Sequence, residues 1–236
     1  MHTHSAIARS TIHADAARLS AMPVRHIQRG AYDAGRSLDQ QMLLMGATMS
    51  YPRNSEIFGE NEPADYLYKV ISGSVRTSKI LSDGRRQIGD FYLPGDIFGL
   101  EFADTHALSA EAVSAAKVLV VRRSALNALA ERDASVAAQL FALTGRELRR
   151  AQERIVLLIK SAQERVASFL LEMSERLTLD NAIELPMSRQ DIADYLGLTI
   201  ETVSRTLTSL ESAAAIEVTA RRIRLCDRGA LNRMNG

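Results

Sequence analysis

Along residues 1–36 the apolar positions keep no sustained period. The stretch is rich in Ala and Ser with scattered Arg, and reads as a mobile N-terminal extension. From Ala47 the pattern changes to short β-favouring runs: Glu56–Phe58, Tyr66–Ile71, Val75–Ile80, Gln87–Tyr92 and Lys117–Val121. Between them stand Gly59-Glu60-Asn61-Glu62-Pro63, Ser72-Gly73, Ser82-Asp83-Gly84 and Pro94-Gly95-Asp96. Strands recurring about every 10 residues, with Gly at the turns, predict a small antiparallel barrel or sandwich. Asp83-Gly84 is a hairpin signal, because such a turn needs positive φ.

Ser124 is expected to cap a short helix, after which the period becomes helical. Ala137, Phe141, Thr144, Leu148, Ala151, Ile155 and Leu158 recur at alternating steps of 4 and 3, a heptad seam. Arg146, Glu147, Arg149, Arg150, Glu153 and Arg154 flank it as a solvated face would. Two readings stand: a helix packed on its own β domain, or a parallel two-helix dimer interface. The narrowness of the stripe favours the second.

A second helix is predicted over Ala162–Leu177, then a polar break at Thr178–Asn181. In Ser188-Arg189-Gln190-Asp191 the Ser and Asp form a capping box, so a helix starts at Arg189. Ile192, Ala193 and Leu196 face inward, and Gly197 ends the helix. Leu198-Thr199 lead into another helix from Ile200 to about Ser212. Two brief helices joined by a tight Gly turn describe a helix-turn-helix. On the second, Val203, Leu207 and Leu210 face the core, while Glu201, Ser204, Arg205 and Thr208 share the other face. Those side chains can read base edges: Arg bidentately at guanine, Glu at cytosine N4, Ser or Thr at thymine. Ile216–Val218 and Ile223–Leu225 alternate around Ala220-Arg221-Arg222 as a wing. Candidate phosphate contacts are Ser188, Arg189, Thr199, Thr202, Thr208, Arg221 and Arg222, with Arg224 beside them.

The chain therefore divides into an extension (1–36), a β domain (37–130), a dimerisation helix (131–160) and a winged helix-turn-helix (161–236), an α+β fold. Composition adds limits. Of the 236 residues, 46% are hydrophobic and 24% charged, which excludes a wholly disordered chain. Ile155–Ile159 is the longest run of large apolar residues, far short of the roughly 18–20 that span a bilayer. No signal-peptide pattern opens the chain, so a cytoplasmic protein without membrane contact is expected. The 29 Lys and Arg against 28 Asp and Glu leave a net charge of +1, and residues 188–228 hold six Arg against six Asp and Glu. DNA affinity would then rest on a few placed arginines and on dimerisation rather than a basic field. One cysteine, Cys226, excludes an internal disulfide, and a single thiol cannot by itself assemble a zinc or iron–sulfur site. His2, His4, His13 and His26 lie in the extension without a framing carboxylate or thiol pattern, so no metal is expected.

A β-roll, a long helix and a terminal winged helix, in that order, resemble the cyclic-AMP receptor/FNR superfamily of bacterial transcription regulators over roughly residues 40–234. The most specific segments are Gln87-Ile88-Gly89-Asp90-Phe91-Tyr92-Leu93-Pro94-Gly95-Asp96-Ile97-Phe98-Gly99 and Leu196-Gly197-Leu198-Thr199-Ile200-Glu201-Thr202-Val203-Ser204-Arg205. The resemblance implies an N-terminal antiparallel β-roll like a cyclic-nucleotide-binding domain and half-sites of the type TTGAT…ATCAA. It implies base contacts from Glu201, Ser204 and Arg205, with Ile200 at a thymine methyl. The cyclic-AMP-binding branch has a Glu after the last roll Gly and an Arg-Ser or Arg-Thr pair farther on. Here Leu100 follows Gly99, and Thr105-His106-Ala107-Leu108-Ser109-Ala110 carries no arginine to pair a phosphate. Lack of cysteines before Cys226 excludes the iron–sulfur cluster of the oxygen-sensing branch. What remains resembles the FixK-type subgroup, activators with no built-in sensor or cofactor that serve low-oxygen, nitrogen-fixation or denitrification genes. The alternative is the haem-dependent, nitrogen-oxide-responsive subgroup, for which His106 is the roll's candidate ligand.

In the family a turn near the roll motif touches RNA polymerase, which here corresponds to Asp83, Gly84, Arg85 and Arg86, unless these are a plain hairpin turn. Cys226 is either a small hydrophobe or a redox handle, with Arg224 and Arg228 placed to favour its thiolate and Asp227 opposing. No hydrolase, metalloprotease or phosphate-loop motif argues for an enzyme. A ligand-binding sensor whose helix-turn-helix makes only protein contacts is the further class.

Overall fold

The computed structural model describes residues 37–101, 103–177, 182–219 and 222–235. Helix α1 (Leu38–Met45) precedes strands β1 (Ala47–Tyr51), β2 (Glu56–Phe58), β3 (Tyr66–Ser72) and β4 (Val75–Ile80). Then come β5 (Arg86–Tyr92), β6 (Ile97–Phe98), β7 (Ser109–Ala112) and β8 (Ala116–Arg122). These strands form two four-stranded sheets, ordered β1-β8-β3-β6 and β2-β7-β4-β5, with antiparallel pairing throughout. The β4–β5 hairpin closes where Asp83-Gly84 predicts, with Gly84 at φ 84°. Between the sheets Phe58, Tyr68, Phe98 and His106 are all buried.

Helix α2 (Arg123–Ala130) follows, and its N-cap is Arg122 without a side-chain bond. Ser124 is thus inside the helix and not its cap: β8 runs through Arg122 and hands the chain directly to the helix. Helix α3 (Ala134–Leu158) is capped by Asp133, whose carboxylate accepts from Ser135 and Val136 N–H. Its 25 residues extend for about 38 Å. Only Val136 and Leu143 are fully buried, joining Leu38, Met42, Leu119, Leu126 and Leu129 in the first core cluster.

The C-terminal domain begins with α4 (Ala162–Leu177). Beyond it lie β9 (Ala182–Glu184), α5 (Arg189–Leu196), α6 (Ile200–Ser212), β10 (Ile216–Thr219), β11 (Arg222–Leu225) and α7 (Arg228–Asn235). The wing hairpin is joined by β9 into a three-stranded sheet, β10-β11-β9. The second core cluster crosses from roll to C-terminal domain: Ile88, Phe91, Leu93 and Val113 pack with Phe169, Leu170, Tyr195, Leu196, Val203 and Leu210. The two units therefore share one interior.

The face of α3 opposite the seam corrects an expectation. Arg150 and Arg154 do not lie on a solvated side. Arg150 pairs with Asp96 at 3.2 Å, and Arg154 pairs with Asp90 at 3.1 Å and sits over the Tyr195 ring. The β5–β6 segment supplies those carboxylates, and Arg176 of α4 adds a 2.6 Å pair to Asp96.

Candidate nucleic-acid interface

Ser188 starts α5 with the capping box closed in both directions. Asp191 N–H donates to Ser188 Oγ at 3.1 Å, and Ser188 N–H donates to Asp191 Oδ2 at 3.0 Å. Gly197 ends the helix at φ 63°, ψ 39°, the left-handed conformation that a residue without Cβ adopts freely. Two residues later Thr199 caps α6, its hydroxyl accepting from Thr202 N–H at 3.2 Å. Val203, Leu207 and Leu210 are buried, as their spacing predicts.

On the outward face Ile200, Glu201, Ser204 and Arg205 line one open depression. Their spacing puts them within about one and a half turns of a helix whose other face is fixed by the core. Glu201 and Arg205 are exposed, and Arg205 Nε donates to the Glu201 carbonyl at 3.4 Å. The N–H of Glu201 itself and the Thr199 hydroxyl hold the Glu201 carboxyl below its ordinary range. Arg189 Nη1 reaches Ser204 Oγ at 3.5 Å, so the start of α5 borders the same surface. Thr208 is exposed farther along α6 and donates to the Ser204 carbonyl.

Other candidates are placed less openly. The Ser188 hydroxyl donates to Asp191 at 2.8 Å, so both its donors are engaged within the capping box. Arg222 is exposed on the wing, 3.6 Å from Glu184, and Arg224 lies 3.3 Å from Glu217. Arg221 lies outside the described residues, as do His2, His4, His13 and His26. Cys226 is exposed, but the cations expected to favour its thiolate are engaged elsewhere: Arg224 with Glu217, Arg228 with the Ser174 hydroxyl at 2.8 Å.

The seam of α3 is open to solvent in this chain. Phe141 is 82% exposed, Leu148 60%, Ile155 66% and Leu158 52%, which is far from a helix packed on its own domain by that face. Ala151 is exposed as well, while Ala137 and Thr144 are half-buried, Thr144 donating to the Leu140 carbonyl. In the β4–β5 turn Asp83 and Arg85 pair at 2.7 Å on the surface. Arg86, expected beside them, turns the other way: its guanidinium bonds Asp191 at 2.6 Å and Asp194 at 2.7 Å on α5. Arg76 of β4 reaches the same Asp191 at 3.2 Å and Glu111 at 2.6 Å. This buried cluster joins residues more than a hundred positions apart, and no local pattern announces it.

Inside the roll, His106 stacks on Phe58 with ring centroids 3.6 Å apart, and its Nδ1 lies 3.2 Å from a Glu101 oxygen. The rings of Phe58, Tyr68 and Phe98 pack on one another with centroids 5.1–6.1 Å apart, and the Tyr68 ring lies 6.2 Å from the imidazole. The imidazole is built into an aromatic core rather than offered at a surface. Among the described residues no group of three or more His, Cys, Asp and Glu is arranged to hold a metal ion.

A two-sheet roll, a long helix with a bare apolar seam and a winged helix-turn-helix with a polar reading face define a DNA-binding transcription regulator, not an enzyme. The chain belongs to the Crp/FNR family of regulators, in the branch that contains the FixK proteins. The cyclic nucleotide-binding domain family matches residues 48–133, and the Crp-like helix-turn-helix domain family matches residues 164–234. The nitrogen fixation regulation protein FixK of Azorhizobium caulinodans is 50% identical over 203 residues, covering 83% of this chain and 82% of that protein. The transcriptional activatory protein AadR of Rhodopseudomonas palustris is 39% identical, covering 75% of this chain and 76% of the relative. Among solved structures, FixK2 from Bradyrhizobium japonicum superposes with a TM-score of 0.79 at 49% identity, covering 81% of this chain and 98% of that one.

Proposed function

We propose that the protein is a homodimeric transcription activator that reads a near-palindrome of the type TTGAT…ATCAA. In this reading it acts in the cytoplasm, without a bound cofactor, on low-oxygen, nitrogen-fixation or denitrification genes. The observation that carries the reading is the gathering of Ile200, Glu201, Ser204 and Arg205 on one exposed depression of α6. Glutamate there can accept from cytosine, arginine can bond guanine twice, and the isoleucine can meet a thymine methyl. Dimerisation is supported by the bare heptad seam, because a parallel pair would bury Phe141, Leu148, Ile155 and Leu158 against their mates. Two reading helices so joined would face half-sites about one helical turn apart. Support for the cofactor-free part comes from the roll: Leu100 after Gly99, no arginine in Thr105–Ala110, and His106 stacked in the interior. Assignment to nitrogen fixation rests on the names of the FixK relatives. No helix among the described residues is long and apolar enough to cross a membrane, in keeping with action on DNA.

A mobility-shift titration on a TTGAT…ATCAA duplex at near-physiological salt tests the reading, and no shift would sink it. Within that assay Arg205→Ala is expected to cost about 1–3 kcal/mol on the cognate site and to relax discrimination at its guanine. Arg222→Ala should instead weaken every sequence alike and lower the slope of affinity against salt, if the wing grips phosphate. A sequence-selective loss at Arg222 would contradict that division.

For polymerase contact, the turn residues Asp83, Gly84 and Arg85 are the exposed candidates, since Arg86 is committed to α5. Arg85→Ala is expected to lower transcription in vitro while leaving DNA affinity unchanged. Equal losses in both would remove the turn from the polymerase interface.

A further inference from the structure

The dimer seam lies on α3, but bases are read by α6, and something must hold one at a fixed angle to the other. The junction is narrow: α3 ends at Leu158, Ile159–Ser161 turn the chain, and α4 begins at Ala162. At this point one side chain touches three elements. Arg165, in the first turn of α4, donates from Nη2 to the Leu158 carbonyl at 2.5 Å and from Nε to the Lys160 carbonyl at 2.9 Å. Its Nη1 donates to the Leu196 carbonyl at 2.9 Å, at the end of α5.

The Leu158 and Leu196 carbonyls belong to the last turns of α3 and α5, where the backbone supplies no helical donor. The guanidinium also brings a positive charge to the negative ends of α3 and α5, which favours both. A Cβ on Gly197 would lie 3.6 Å from Nη1, so the cation covers the turn glycine itself. From there only Leu198 and Thr199 separate Leu196-Gly197 from α6. Beside the Arg154–Tyr195 contact and the shared core, this planar fork is a direct polar tie between the end of α3 and the turn that leads into α6.

We propose that Arg165 is a positioning residue: by bonding the ends of α3 and α5 together, it sets the angle at which each α6 is presented from the dimer. The proposal rests on the dimeric, palindrome-reading function above. Lysine cannot replace it, since a single ammonium lacks the rigid fork that spans carbonyls on two helices. Arg165 faces no base and no phosphate in this role, so its loss should alter geometry rather than chemistry.

The test uses the full chain with palindromic duplexes whose spacer is the preferred length, or one base pair longer or shorter. Each added base pair turns one half-site by about 35° relative to the other. Arg165→Lys and Arg165→Gln are expected to stay folded by circular dichroism and to sediment as the wild-type dimer. At the preferred spacer they should lose about tenfold in affinity, because the second half-site is no longer held in register. Their preference for that spacer over the altered ones should shrink, and the salt slope should match wild type because no phosphate contact is removed. A residue that merely stabilised the fold would leave spacer preference unchanged in the folded protein. Wild-type spacer preference in both variants, or failure of both to fold, would overturn the proposal. Wild type binding a single half-site as tightly as the palindrome would overturn the dimeric reading, and this inference with it.

Discussion

Ile155→Glu is expected to leave the protein monomeric and to remove most of its operator affinity. Ile155 is 66% exposed in the single chain and sits in the seam between Leu148 and Leu158. In a parallel pair it meets its own copy, so the substitution places two like charges face to face in an apolar contact, without partners. A monomer grips only one half-site, and losing the linked second contact lowers overall affinity by about two to four orders of magnitude. Sedimentation gives the first readout and the mobility shift the second. A variant that still sediments as a dimer would mean that α3 pairs through another face.

Asp191→Ala is the substitution with the largest expected effect on folding, about 3 kcal/mol, as for removing one partner from a buried ion pair. Asp191 is 5% exposed and does two jobs at once. It closes the capping box with Ser188, and it accepts from Arg76 and Arg86 across the boundary with the roll. Arg76 keeps Glu111 and Arg86 keeps Asp194 in the variant, which holds the cost at the lower end of that class. Chemical denaturation at fixed protein concentration checks it, and a loss under 1 kcal/mol would mean the cluster contributes little.

The same residue gives a pH dependence. Burial pushes the Asp191 carboxyl up, but the Ser188 N–H and hydroxyl and the two arginines more than offset this, so its pKa lies below the ordinary value. Its contribution is therefore full above about pH 4 and is lost as pH falls through the lowered value. Glu172 is pushed the other way, chiefly by burial, so its protonation in mild acid favours the folded state and partly offsets that loss. Acid sensitivity should be weaker in Asp191→Ala than in wild type.

Local chemistry was legible in the chain. Ser188 and Asp191 three residues apart, Gly197 at the turn and the apolar step from Val203 to Leu207 each act over one helical turn, and each placed its element. The seam was legible for the same reason. The charged face of α3 was not, because helical periodicity says which side is apolar but not that Asp90 and Asp96 wait on a sheet to meet Arg150 and Arg154. Arg86 was misplaced in the same way: next to Asp83-Gly84 it looks like a turn residue, and only the packing of β5 on α5 turns it inward. Helix α1 and strands β7 and β9 are short, with little period to betray them. Arg165 gave no signal at all, since its acceptors are backbone carbonyls that carry no side-chain signature.

The interior shared by roll and reading domain bears on how such a protein can be rearranged. Phe91 and Ile88 belong to β5, yet they pack with Phe169, Tyr195 and Leu196 from the C-terminal half. A segment cut out from residue 161 onward would carry a bare apolar face where those side chains had been. The reading unit is consequently not a portable cassette. Transplanted behind a foreign roll, it would need Ile88, Phe91 and the Arg76–Arg86 pair carried along with it, so new specificity is better sought by exchanging residues on α6 than by exchanging halves.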